Sequence, residues 1–491
     1  MTRSSTKRWG PPFGFMIGCP QLGDPKMKMR SNGFVSTLLA ALCLSFLTAT
    51  SQAATPKRLL VKIDRSYYKA HYNEIHAAGL DVAGMNIPKG TVDLIVTQED
   101  FDTLRKMGIP VPRTPLEVTT RGPDSKYKTP DQVAQLLAGY QTAYPAIAQV
   151  TSIGKSLQGR DILAIRITQN VSQPDGNKPA ILYNGMHHAR EVMSTEVPLD
   201  IADYLLTNYG KDAKVTHWIN SDVIYVVPML NPDGNNLVWT QDNMWRKNAR
   251  GNYGVDINRN YPYQWNSCDG SSSSKSADDY RGPSAASEPE TNVVMNFVTS
   301  IHPVFDISFH SYSEIVIYPY GCGGHTETAN VVEPLGQQMA ALIPSDDGSG
   351  HYTAGLAPDL LYPVDGSDLD WMYHVDHVIP YVIEVNSDSE GFQPSYDDWR
   401  DKTVNAVRPA WQLLLDRMDG PSIRGNVHGI KMTQVTVKGA TFTENYPVHV
   451  DGSYHMVLNP GDYQLTFTGP NQTPQTKTVH VGATRTHFDL N

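Results

Sequence analysis

Within Asn184-Gly185-Met186-His187-His188-Ala189-Arg190-Glu191 a histidine stands three residues before a glutamate, and a second imidazole, His310, follows in Phe309-His310-Ser311-Tyr312-Ser313. Two neutral imidazoles and one carboxylate are the ligand set of a catalytic zinc ion, which takes three protein ligands and keeps a fourth position for water. His187 is an alternative ligand by type, but the three-residue spacing to Glu191 registers only on His188. The run 181–186, Ile-Leu-Tyr-Asn-Gly-Met, predicts a buried strand, so His188 leaves its end and Glu191 folds back beside it. A second apolar strand, Val304 to Phe309, presents His310 at its end, where it can meet the pair across the sheet.

A His-x-x-Glu pair alone arises often by chance on a surface helix or loop. Six further motifs change its weight: Val227 to Gly234, Met244-Trp245-Arg246-Lys247-Asn248, Gly254 to Asn260, Tyr318-Pro319-Tyr320-Gly321, Tyr362 with Asp370-Trp371, and Tyr381-Val382-Ile383-Glu384-Val385. In this order they resemble the zinc metallocarboxypeptidase family, most closely its pancreatic-type and secreted bacterial branch, over about residues 126–420. The resemblance implies one Zn2+ per chain, held by His188, Glu191 and His310, with Asp256 accepting the other ring proton of His188. It also implies that the partners are the C-termini of peptides and proteins.

Glu384 lies inside an apolar run, where a carboxylate without a partner is costly, so a role at the site is the better account. Facing the metal, it can take a proton from water and return it to the leaving amine. Arg246 is expected to stabilise the tetrahedral oxyanion. Asn258-Arg259 and the hydroxyl of Tyr362 are expected to grip a terminal carboxylate, which the planar guanidinium fits with a fork of donors. Arg190, Tyr312 and Phe392 line the path of upstream residues by analogy, whereas Lys247 reads as a surface charge.

The family's pocket positions fall on Ile317, Gly321, Ala357, Leu361, Val364, Ser367, Leu369 and Val382. That lining is apolar and predicts a preference for large apolar or aromatic C-terminal residues. Leu369 stands where members specific for basic residues carry an acid, although Asp368 is adjacent. Asn386-Ser387 departs from the Arg-Asp of pancreatic-type members. Cis peptide bonds are implied at Ser311-Tyr312 and Pro319-Tyr320.

The chain that must position these groups has 491 residues and a net charge of -10, which gives no basic footprint for nucleic acid. Residues 1–53 read as an upstream segment and a signal peptide, with the basic run Lys26 to Arg30, an apolar run Gly33 to Thr50 and small residues to Ala54. That run is short and interrupted for a membrane anchor, so the product is expected to be secreted, extracellular or periplasmic, and monomeric. Cys268 and Cys322 remain in the mature chain and are expected to form a disulfide.

Residues 54–113 predict an α+β module with a strand Leu59 to Ile63, a helix 66–77, a strand Val92 to Val96 and a helix starting at Thr97; its position suggests an inhibitory prosegment. Residues 114–125 form a linker with basic sites for processing. Over 126–420 strands alternate with helices, predicting an α/β fold with a mixed, largely parallel central sheet flanked by helices. Residues 421–491 show period-two strands and turns, a C-terminal β-sandwich that resembles the transthyretin-like domain of regulatory carboxypeptidases. Two competing readings are a peptidoglycan-peptide amidase and a non-catalytic binding homologue; Asn258, Arg259 and Tyr362 count against the first, Glu384 and Arg246 against the second.

Overall fold

The computed structural model describes residues 57–118, 122–173, 178–429 and 431–491. The upstream segment and signal peptide fall outside the described residues, as does the middle of the linker.

The first module runs β1 (Leu59–Asp64), α1 (Arg65–Ala70), α2 (Tyr72–Ala77), β2 (Asp81–Asn86), β3 (Thr91–Val96), α3 (Gln98–Lys106) and β4 (Leu116–Glu117). Its sheet has the order β2-β3-β1-β4 and is antiparallel throughout. The helix expected over 66–77 is divided at His71, whose backbone leaves the helical range at φ -114° and ψ 20°. Strand β2, Asp-Val-Ala-Gly-Met-Asn, has low strand propensity and was hidden for that reason. Thr97 and Asp100 close a capping box on α3, with Phe101 and Leu104 buried on one face.

The central portion continues with α4 (Pro130–Ala143), β5 (Ala148–Lys155), β6 (Asp161–Ile167), β7 (Ala180–Gly185), α5 (Met193–Asn208), α6 (Ala213–Ser221), β8 (Val223–Val227) and α7 (Pro232–Thr240). Then follow α8 (Pro289–Ile301), β9 (Pro303–Ser311), β10 (Ile315–Tyr318), α9 (Ala329–Leu342), β11 (Thr353–Leu356), α10 (Ala357–Leu360), α11 (Asp368–Asp376), β12 (Ile379–Val385) and α12 (Tyr396–Met418). Thr129 caps α4 and Pro130 opens it, as the sequence predicts. The eight strands pair in the order β11-β10-β12-β9-β7-β8-β6-β5. The central strands β12, β9, β7 and β8 are mutually parallel, and antiparallel pairs occur toward both edges, so the sheet is mixed with a parallel middle.

Both faces of this sheet are covered, which is why its central strands read as continuous apolar runs. Ile181 and Tyr183 of β7 join an apolar cluster with α5 and α12, while Leu182 between them joins another with Val294 and Val298 of α8. Strand β7 ends at Gly185, and Met186 turns the chain with φ 61°. Strand β9 runs through Ser311, so His310 lies inside the strand rather than just beyond it.

The C-terminal strands are β13 (Ser422–Asn426), β14 (Gln434–Lys438), β15 (Thr443–Pro447), β16 (Ser453–Val457), β17 (Gly461–Thr468), β18 (Gln475–Val481) and β19 (Arg485–His487). They form sheets of order β16-β13-β19 and β15-β14-β17-β18. Ile423, Met456, Val437, Leu465 and Phe467, drawn from both sheets, share one apolar cluster. Cys268 and Cys322 are bonded, with Cα atoms 5.7 Å apart. No described helix is long and apolar enough to cross a membrane.

Candidate active site

The turn at Met186 carries residues 187–191 away from the sheet, and hydrogen bonds to neighbouring loops hold that turn in place. The Ala189 N–H donates to the Arg246 carbonyl at 2.8 Å, and the Asn231 amide donates to the His187 carbonyl at 3.0 Å and the Lys247 carbonyl at 3.2 Å. Asn231 also caps α7 by accepting from Gly234 N–H at 2.9 Å. Its motif was visible in the sequence, but its work as a tie between two site loops was not.

His188, Glu191 and His310 converge. Their ligand atoms all lie within 4.8 Å of one another. The two Nδ1 atoms are 3.1 Å apart, and Glu191 lies 2.7 Å from the first through Oε1 and 3.1 Å from the second through Oε2. Burial opposes ionisation of Glu191, yet the two imidazoles and their hydrogen bonds hold it well below the usual carboxylate range. Two imidazole nitrogens and a carboxylate directed at one buried point fit a zinc ion in ligand type, number and closeness. His187 is elsewhere: its Nε2 lies 3.1 Å from the Tyr261 hydroxyl, its Nδ1 lies 3.2 Å from Ser308 Oγ, and burial pushes it down to about 4.

Asp256 lies behind His188, with Oδ1 3.3 Å from Nε2. Its Oδ2 accepts from Arg246 Nε at 3.1 Å and Nη2 at 2.8 Å. Burial opposes its charge as well, and Arg246, His188 and Arg259 overrule that, keeping Asp256 ionised. One carboxylate thus orients both a candidate metal-ligand imidazole and the expected oxyanion donor, whose Nη1 lies 3.9 Å from Glu191 Oε1.

Glu384 stands opposite His310 in the register of β12 and β9. Burial first, then the charge of Glu191, push its carboxyl well above the usual range, while Arg246 and Arg259 pull the other way. A bound cation would act in the same downward direction.

One cavity is lined by His188, Glu191, His310, Arg246, Asn258, Arg259, Tyr362 and Glu384, and by all eight expected pocket residues including Ile317, Leu361 and Leu369. Asn258 Oδ1 accepts from Asp368 N–H at 3.0 Å, which leaves its amide donors for the cavity. Arg259 donates through Nε to the Gly270 carbonyl at 3.0 Å and through Nη1 to the Asn258 carbonyl at 2.8 Å. Asp368 also lines the cavity, although its Oδ1 accepts from Leu369 N–H at 2.7 Å and its Oδ2 lies 3.5 Å from His187 Nε2. Lys247, read as a surface charge, is instead buried and donates to the Ala277 carbonyl at 2.6 Å.

Arg190 and Tyr312 have partners that the sequence did not disclose. Arg190 makes a two-pronged pair with Asp81 of β2, at 2.5 and 2.8 Å, and lies 4.1 Å over the Phe392 ring. The Tyr312 hydroxyl donates to Asp93 of β3 at 3.0 Å. The peptide bonds Ser311-Tyr312 and Pro319-Tyr320 are cis, as the resemblance implied.

A family model described as zinc carboxypeptidase matches residues 133–407. A zinc carboxypeptidase A 1 of Drosophila melanogaster is 32% identical over 301 residues, covering 59% of this chain and 67% of that protein. A metallocarboxypeptidase A-like protein of Trichophyton verrucosum is 30% identical over 249 residues, covering 48% of this chain and 57% of that one; the match thus spans little more than half the length of the fungal relative. The crystal structure of the carboxypeptidase A from Helicoverpa armigera superposes with a TM-score of 0.64 at 22% identity, covering 74% of this chain and 97% of that chain, a likeness of fold.

Proposed function

Since the chain belongs to the zinc carboxypeptidase family, we propose that it is a zinc-dependent exopeptidase that hydrolyses the last peptide bond of peptides and proteins and favours apolar or aromatic C-terminal residues. The observation that carries this reading is one cavity that joins the His188, Glu191 and His310 triad and Glu384 to the buried donors of Asn258 and Arg259. A hydrolase acting inside a chain has no use for a guanidinium that binds a terminal carboxylate.

His188, Glu191 and His310 would hold the zinc ion, which supplies Lewis acidity to the scissile carbonyl and lowers the pKa of water. Glu384 accepts a proton from the attacking water and delivers it to the nitrogen of the departing amino acid. Arg246 Nη1 donates to the carbonyl oxygen as it gains charge, held on line by Asp256. Arg259, Asn258 and Tyr362 bind the α-carboxylate, and Ile317, Leu361 and Leu369 receive the side chain beyond it. The assay that tests this is hydrolysis of blocked dipeptides with free or amidated C-termini, with and without chelator. Activity confined to free C-termini and abolished by chelation is expected; equal cleavage of the amides would favour the amidase reading, and no cleavage by any preparation would favour a binding homologue.

We also read residues 54–113 as an inhibitory prosegment, 114–125 as its linker, 126–420 as the catalytic domain and 421–491 as a transthyretin-like accessory domain. Ala83 and Gly84 of β2 line the cavity, and Gly84 lies so close to Tyr312 that a Cβ there would meet Cε2 at 2.6 Å. Met85 N–H donates to Ser313 Oγ at 3.0 Å. Val61, Val92 and Leu94 share an apolar cluster with Ile317, Leu361 and Leu369. Export of the protein accords with its disulfide.

A further inference from the structure

We propose, on the carboxypeptidase reading above, that Asp365 is a positioning residue for recognition of the terminal carboxylate, because it fixes the Gly270 carbonyl on which the Arg259 guanidinium is aligned. Arg259 has two acceptors that set its plane, the carbonyls of Asn258 and Gly270. The first is its own neighbour. The second belongs to an irregular loop, and a loop carbonyl aims a guanidinium only if the loop itself is held.

Asp365 holds it. Its Oδ2 accepts from the N–H groups of Ser267 at 3.0 Å, Cys268 at 3.2 Å and Gly270 at 3.2 Å, and its Oδ1 accepts the Ser271 hydroxyl. The side chain is fully buried, and none of these four partners is a cation. A buried carboxylate is tolerated when its lone pairs meet donors, and here the donors are three backbone N–H groups and one hydroxyl of the loop whose Gly270 carbonyl orients Arg259. Gly270 rests directly on the segment carrying the clamp: a Cβ there would lie 2.6 Å from Asp365 N and 2.8 Å from the Pro363 carbonyl. The Cys268–Cys322 bond tethers the same loop, but it fixes where Cys268 lies, not where the carbonyl of Gly270 points.

The same short segment begins at Tyr362 and includes the pocket wall Val364, whose N–H donates to the Gly321 carbonyl at 2.9 Å. Asp365 therefore joins the two sides of the carboxylate grip, the Tyr362 hydroxyl and the Arg259 guanidinium. Gripping the α-carboxylate is binding shared by ground state and transition state, so loosening it raises KM more than it lowers kcat.

The test uses the full chain, brought to its maximal activity by limited trypsin treatment, as wild type, Asp365→Ala and Asp365→Asn. Two probes separate the roles: 3-phenylpropionate, which depends on the carboxylate grip, and acetohydroxamic acid, a neutral metal ligand. Asp365→Ala should weaken 3-phenylpropionate and raise KM for a free-carboxylate substrate by about tenfold or more, with kcat and hydroxamate inhibition little changed. Asp365→Asn, which keeps an acceptor oxygen for the N–H groups, should recover much of the loss. Equal weakening of both probes, or no change in either, would overturn the proposal. If Asp365→Ala does not accumulate folded, Ser271→Ala decides it: a KM increase that spares hydroxamate binding supports the clamp, and an unchanged KM refutes it. A wild type that fails to distinguish free from amidated C-termini would overturn the functional reading and this inference together; a wild type that does distinguish them leaves the functional reading standing, whatever the variants do.

Discussion

Glu384 and His310 occupy the same register position on the adjacent parallel strands β12 and β9, so both side chains leave the same face of the sheet beside each other. The sheet thereby sets the proposed proton carrier beside a candidate metal ligand without relying on any loop. Strand-borne placement is the more precise kind, and it limits the rearrangement that substitution at either position can cause.

Replacing Glu384 by Gln keeps the volume and removes the proton-accepting function. The expected loss in kcat is about 10²–10⁴-fold, the usual contribution of a general acid–base group, with KM little changed. Metal analysis of the same preparation should still give one zinc per chain. A variant retaining more than about a tenth of wild-type kcat would show that another group moves the proton.

The Asp81–Arg190 pair joins the first module to the turn that carries His188 and Glu191, and both partners are buried. Removing one member of a buried ion pair costs about 3–5 kcal/mol because the other is left without compensation. Asp81→Ala should therefore loosen the module, and the intact chain should show activity approaching that of the trypsin-treated wild type. The ratio of activity before and after trypsin measures this. Were the variant as silent as the intact wild type, the remaining contacts of β2 would suffice for inhibition; were the intact wild type already fully active, the module would not be inhibitory at all.

The metal triad was legible because ligand type and the His-x-x-Glu spacing are local facts, and His310 because it directly follows a strongly apolar run. The pairing of Asp81 with Arg190 was not, since it joins positions 109 residues apart and β2 itself carries Gly84 and Asn86, which weaken a strand signal. Asp365 was hidden for a different reason: Asp-Gly at 365–366 reads as an ordinary turn, and a carboxylate that binds backbone N–H groups leaves no complementary charge in the sequence. Lys247 was misread because a lysine bonded to carbonyls looks, in one dimension, like any solvated cation.

Leu369 is buried in the cavity wall, and Leu369→Asp introduces a carboxylate that a Lys or Arg side chain can pair with. The ratio of kcat/KM for a Phe-ended over an Arg-ended substrate should fall by at least about 100-fold, through the loss of apolar contact and the gain of a charged partner. A wild type that already prefers Arg would mean that Asp368, also in the lining, reaches the substrate.

The seam between the C-terminal sandwich and the central domain should respond to acid. His302, at the end of α8, stacks on His449 with ring centroids 3.4 Å apart, and the shielded Nε2 of His455 has no hydrogen-bond partner among the described residues. Burial lowers all three: His449 falls to about 4, with His302 adding to the effect, and His455 falls well below its ordinary value, with Arg424, Arg485 and Arg417 adding to it. Asp376 and Asp451 face His302, and Asp451 faces His449; both favour its charged form and are outweighed. Depressed folded-state values mean that the unfolded chain binds more protons below its own value near 6.5, so this stability is present above pH 6.5 and is lost as pH falls toward 4. Asp222, raised to about 7 by burial, has the opposite sign, contributing below its ordinary 3.8 and losing that contribution as pH rises toward 7. Thermal melts of the wild type and His449→Phe from pH 7.5 to 4 separate the two: the wild type should lose more Tm than the variant between pH 6.5 and 4. Parallel pH profiles would show that these imidazoles do not control the seam.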